Sequence, residues 1–167
     1  MRSPGGVVSW EVSSPSAQTE GEAPPQAPAE LGDAVARYCR ASSANDIDAL
    51  MATLAPGAEL VSPLSGRMVF RGVNDIRILA EAIYGTLEDM HWGAPIGHGR
   101  LWMAIAESRI AGLRLDDAMV FELDEDGLIA RVRPHLRPWL ATTVFALALG
   151  PKMAPHAGVI LRALRAR

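Results

Sequence analysis

Two stretches of similar length, LWMAIAESRI (Leu101 to Ile110) and LRLDDAMVFEL (Leu113 to Leu123), meet at Ala111-Gly112, and this junction constrains the fold more than any other feature. Both have strand composition, and side chains along a strand point alternately to its two faces. A two-residue turn at Ala111-Gly112 pairs Ile110 with Leu113, Ser108 with Leu115, Ala106 with Asp117, Ala104 with Met119 and Trp102 with Phe121. That face is apolar apart from Ser108 and Asp117. The other gathers Met103, Ile105, Glu107, Arg109, Arg114, Asp116, Ala118, Val120 and Glu122. Its mixed polarity suits a solvent-edged contact between two copies of the chain.

An apolar sheet face must be covered, and the sequence before the hairpin supplies helices for it. Leu31, Ala34, Val35, Tyr38 and Cys39 recur at helical spacing, and Asn45-Asp46 offers an N-cap for a second helix over Ile47 to Leu54. Short strands follow at Ala58 to Leu64 and Val69 to Arg71, then a third helix over Val73 to Leu87 with Ile76, Leu79, Ala80, Ile83 and Leu87 on one side. Strands at His91 to Gly97 and Leu128 to Arg137 flank the central hairpin. The order predicts an α+β fold: a cone-shaped, curved antiparallel sheet with three N-terminal helices packed on it and an interior cavity. Residues 1–29, with five prolines and no apolar period, read as a disordered leader, residues 30–139 as the domain, and residues 140–167 as a helical extension.

Several function classes drop out. A net charge of -3 gives no electrostatic case for nucleic acid. The single Cys39 allows no internal disulfide, and the opening MRSPGGVVSWEV lacks the form of a signal peptide, so a cytoplasmic setting is expected. No metal-ligand spacing and no phosphate-binding glycine loop occur, so neither metal nor cofactor is expected. Residues 127–167 contain seven Lys or Arg and no Asp or Glu. Such a tail suits an anionic membrane or the acidic body of the same dimer, and the second is preferred. The apolar run Trp139 to Leu149 stops well short of the roughly 20 residues that span a bilayer. The extension is therefore expected to cap the mouth of the cavity.

The segment VARYCRASSANDIDALMATLAPGAELVSPLSGRMVFRGVNDI is similar to the opening of ketosteroid isomerases and SnoaL-like cyclases, and VFELDEDGLIARVRPHLRPW resembles their last hairpin. The resemblance is to the nuclear transport factor 2-like superfamily and covers about Leu31 to Trp139. It implies a pocket for a small hydrophobic molecule and a homodimer formed through the outer sheet face. It also places Tyr38 at the isomerases' oxyanion-hole tyrosine, Ser62 at their general-base aspartate and Met119 at their second, protonated aspartate. Two of those three roles are thus missing. The Asp-Arg-Asp set of the related epoxide hydrolases is also incomplete, since Arg109 is followed by Ala111 and the last strand offers Pro134 or His135.

Within the predicted interior Asp117 is the one carboxylate, and desolvation there favours its neutral form or demands a donor. It is the candidate acid or base, unless a bulge at the turn puts Asp116 inside instead. Tyr38 and Ser62 are its candidate hydrogen-bond partners, and His135 is a reserve proton carrier if it points inward. Trp102, Leu115, Met119, Phe121, Val132, Leu136 and Met68 are expected to line the pocket. The expected activity is cofactor-free isomerisation, cyclisation or dehydration of a small hydrophobic metabolite. A non-catalytic binding or dimerisation module, and epoxide hydrolase-like water activation, are the alternatives.

Overall fold

The computed structural model describes residues 32–165; the predicted leader lies outside them. The chain runs α1 (Asp33–Ser43), α2 (Ile47–Met51), β1 (Leu54–Val61), β2 (Val69–Arg71), α3 (Val73–Tyr84), β3 (Glu88–Trp92) and β4 (Ile96–His98). The central hairpin β5 (Leu101–Ile110) and β6 (Leu113–Leu123) follows, then β7 (Ile129–Arg133), β8 (Leu136–Arg137), α4 (Trp139–Met153), a 3-10 turn and α5 (Ala157–Arg165). One open sheet orders its strands β2-β1-β7-β6-β5-β3, with β4 beside β5 and β8 beside β6. Every pairing is antiparallel except β1 with β7, which makes the sheet mixed.

The hairpin has the register its turn dictates: Ile110 pairs with Leu113, Ala106 with Asp117 and Trp102 with Phe121. Ala111 (φ +48°) and Gly112 (φ +78°) are both left-handed, as a turn matched to strand twist requires. Glycine adopts that backbone without strain, whereas alanine does not. Ala111→Asn is therefore expected to stabilise the fold by about 0.5–1 kcal/mol, read from the urea midpoint at unchanged slope.

Departures from sequence-based expectation occur where the backbone loses a donor or gains a bulge. The strand expected over residues 91–97 divides into β3 and β4 around Gly93 and Pro95. Pro134 likewise separates β7 from β8, because proline cannot donate to a ladder. β1 begins earlier than expected, at Leu54, since Thr53 already accepts from the Ile129 N–H at 3.0 Å. Register shifts of one residue in the β3–β5 and β6–β7 pairs are those of bulges, which bend a sheet, and a wider break in pairing falls between Leu54 and Glu59 of β1.

Helices α1 and α3 fill the concavity through Ala34, Val35, Tyr38 and Cys39 and through Ile76, Leu79, Ala80 and Tyr84, all buried. Asp46 caps α2 by accepting the Ala49 N–H at 2.9 Å. The extension forms two helices as expected. Ala141, Phe145, Leu149 and Met153, at i, i+4 spacing, bury one stripe of α4 against the body.

Candidate active site

A cavity of about 210 Å³ lies between the inner sheet face, α3 and α4. Leucine, isoleucine, methionine and aromatic side chains dominate its walls, with Met68, Met90, Met119 and Met153 contributed by four different parts of the chain. Phe145, Leu149 and Ile160 of the extension line it too, so α4 and α5 form part of its wall. The polar side chains that reach it are Tyr38, Ser62, Tyr84, Ser108 and Asp117, with the indole of Trp92 beside them.

Asp117 is on the inner face of β6, where the period-two alternation from the turn puts it. Oδ1 accepts the His135 backbone N–H at 2.8 Å, while among the described residues Oδ2 has no hydrogen-bond partner. Removal from water raises the carboxyl from its ordinary 3.8 to about 6, against the lesser opposing pull of the His135 N–H and imidazole. Both protonation states are therefore populated near neutral pH, which is what a proton carrier needs.

The Tyr38 and Tyr84 hydroxyls are 2.8 Å apart, one donating to the other. Burial is the main reason that both phenols lie above the ordinary tyrosine value, so they stay protonated. The hydroxyl that accepts within the pair keeps its own proton for a ligand oxygen. Trp92 and Phe121 fix Tyr38 edge-on, at ring centroid distances of 6.4 and 5.2 Å. Ser62 Oγ accepts the Leu64 N–H at 3.3 Å and so retains a free O–H. Ser108 instead donates to the Leu115 carbonyl at 3.1 Å. The result is one carboxyl with a free oxygen and a small group of neutral donors, set in an otherwise apolar wall.

No family model matches the sequence, and no curated protein matches it. Solved structures do. An uncharacterized bacterial protein with a cystatin-like fold from Silicibacter pomeroyi superposes with a TM-score of 0.74 at 15% identity, covering 81% of this chain and 96% of its own. A steroid delta-isomerase from Pseudomonas aeruginosa gives 0.70 at 18% identity, covering 80% and 98%. The epoxide hydrolase/cyclase-like enzyme SalBIII, of pyran ring formation in salinomycin, gives 0.56 at 18% identity, covering 67% and 93%. This chain has the nuclear transport factor 2-like fold.

Within this nuclear transport factor 2-like cone the expected site residues separate into two groups. Asp117, Tyr38 and Ser62 converge on the cavity, and Met68, Leu115, Met119 and Leu136 line it. Trp102, Phe121 and Val132 do not. Phe121 and Val132 are fully buried core, and Trp102 packs against Gly32 at the start of α1 while its indole N–H donates to the Gly99 carbonyl at 2.8 Å. His135, whose direction the sequence leaves open, turns outward and so is not the reserve proton carrier. Its imidazole is exposed, with Nδ1 3.0 Å from the Ala118 carbonyl, and only its backbone N–H serves the site. Arg109 is on the outer face, 4.0 Å from Asp89, and among the described residues no arginine lines the cavity, as the Asp-Arg-Asp set of epoxide hydrolase-like water activation would require. Tyr84 was not anticipated, although Ile76, Ala80 and Tyr84 share a helix face at i, i+4 spacing.

Proposed function

We propose that the chain is a cofactor-free catalyst of proton transfer on a small lipophilic molecule, of the isomerase or cyclase kind. The observation that carries this is Asp117: a carboxyl anchored through one oxygen, with the other free, poised near pH 6 in an apolar cavity. A ligand oxygen held by the Tyr38–Tyr84 pair or by Ser62 would have its developing negative charge stabilised by neutral donors in a dry site. Asp117 would take a proton from one atom of the ligand and return it to another, so the reaction needs no co-reactant. Isomerisation, some ring closures and elimination of water share that step. The steroid delta-isomerase and SalBIII have the same fold, and this favours an isomerase or cyclase.

The outer face of the sheet is the proposed homodimer contact. It carries exposed Leu101 and Ile105 among the charged pairs Arg114–Glu107 (2.8 Å) and Arg133–Glu122 (2.8 Å). A rival reading, binding without turnover, is favoured by the Tyr38–Tyr84 bond, which already engages the proton of one of the two hydroxyls.

Incubation with a panel of apolar ketones in deuterated buffer discriminates between the two. The enzyme reading expects deuterium to enter next to a carbonyl with the wild type and not with Asp117→Asn. Ketones that bind tightly and never exchange or rearrange would establish the binding module instead.

A further inference from the structure

We infer that the outer face of α4 and α5 docks on a lipid bilayer bearing anionic headgroups, beside the mouth of the cavity. The inference rests on the proposed reading of that cavity as a site for a lipophilic molecule, which partitions into bilayers.

The first observation is the composition of the extension. Trp139–Arg165 is a 27-residue helical run containing an 18-residue stretch of mean hydropathy 1.4, long and apolar enough by length and composition alone to cross a membrane. Here it lies on the protein instead. Lys152 Nζ donates to the Gly85 carbonyl at the end of α3 (2.7 Å), and Arg162 grips Asp75 at its start with two contacts of 2.6 and 2.9 Å. Pro151 sits inside α4, and the 3-10 turn Ala154–His156 separates α4 from α5.

The second observation is which side remains uncovered. α4 buries the stripe from Ala141 to Met153 and yet is apolar on its outer side as well: Trp139 is 77% exposed and Leu147 71%. With Leu140, Leu161 and Leu164, these make five of the nine exposed large apolar side chains among the described residues. A helix apolar all round normally has apolar surroundings on every side, so this face is short of a partner. It also adjoins the cavity mouth. Ala146, Gly150 and Ile160 line the cavity, Leu147 and Leu161 are their sequence neighbours, and exposed Leu64 reaches the same mouth from the loop after β1.

Charge selects the occupant. Residues 139–165 include no Asp or Glu, and although Arg162 is already paired with Asp75, exposed Lys152 and Arg165 have no ion-pair partner among the described residues. In a two-fold pairing of this face with itself, like charges would meet with no carboxylate from either extension between them. Anionic headgroups complement them, and an exposed tryptophan with leucines is what enters the boundary between headgroups and acyl chains.

Flotation of the full chain with vesicles tests this. Binding is expected to vesicles of phosphatidylcholine with phosphatidylglycerol, weakened in 0.5 M salt and by omitting phosphatidylglycerol. Leu147→Asp with Leu161→Asp, both at exposed positions, should reduce partitioning by about tenfold or more with thermal melting unchanged. Tryptophan emission should shift to the blue on adding vesicles in the wild type and far less in Trp139→Phe. Absence of binding to the anionic vesicles, or equal binding by the double variant, overturns the inference. So does a dimer in sedimentation equilibrium that the double variant abolishes while no vesicle is bound. Turnover in solution without vesicle binding defeats this inference alone. Vesicle binding that Asp117→Asn retains, with no ligand ever turned over, defeats only the catalytic reading.

Discussion

Asp117→Asn is expected to make the protein more stable at pH 8 and, under the proposed function, to abolish turnover. The replacement has the same shape, and its carbonyl oxygen can still accept the His135 N–H that Asp117 accepts at 2.8 Å. What it removes is the penalty of holding a charge away from water. The folded carboxyl titrates at about 6, against 3.8 when solvated, so the native state binds this proton more tightly than the unfolded chain does. The stabilisation from the protonated group is complete below about pH 4, declines as pH rises and is gone above the folded value. The difference between those two values is worth roughly 3 kcal/mol, the cost the wild type carries at pH 8 and the variant does not. Urea denaturation at pH 4 and pH 8 should show a gain of about 2–3 kcal/mol at the higher pH only. Turnover, if Asp117 is the base, rises through about pH 6 in the wild type and falls by at least about 10²-fold in the variant. An unchanged pH 8 stability would mean that the carboxyl is solvated and not poised.

The hairpin at Ala111-Gly112 shows what this sequence reveals and what it withholds. A two-residue turn and a period of two suffice to place Asp117 inside and Arg109 outside, and the structure has that register throughout β5 and β6. The same alternation says nothing about depth along the strand. Trp102 and Phe121 share the inner face with Asp117, yet they belong to the end that α1 fills, where Gly32 meets Trp102 and Tyr38 meets Phe121. Packing between elements far apart in sequence decides where core stops and cavity begins. The Tyr38–Tyr84 hydrogen bond joins residues 46 positions apart on different helices for the same reason. At His135 the difficulty is local. Pro134 interrupts the ladder, the imidazole turns outward, and the backbone N–H becomes the useful group. The outer apolar face of α4 poses the opposite problem, since composition alone reads as burial and only the packing reveals which side is left bare.

Phe121→Ala is expected to cause the largest loss of stability, about 3–5 kcal/mol, because it empties a site with no exposure at the level where α1 meets the sheet. The loss should extend to the chemistry without touching the ligand. The Phe121 ring supports Tyr38 at 5.2 Å and 70°, and Tyr38 in turn sets the hydroxyl pair with Tyr84. A space beneath Tyr38 frees the ring to sink, and a displacement of about 1 Å at a hydrogen-bonding group can cost about 10²-fold in rate. Phe121→Leu separates the two effects. Leucine fills most of the volume, so stability should fall by much less, whereas the edge-on support of Tyr38 is still lost. If the tyrosine pair positions the ligand, Phe121→Leu lowers kcat with an unshifted pH profile, since Asp117 keeps its surroundings. Full activity in a stable Phe121→Leu protein would show that Tyr38 needs no such support, and would leave Ser62 as the donor to the ligand oxygen.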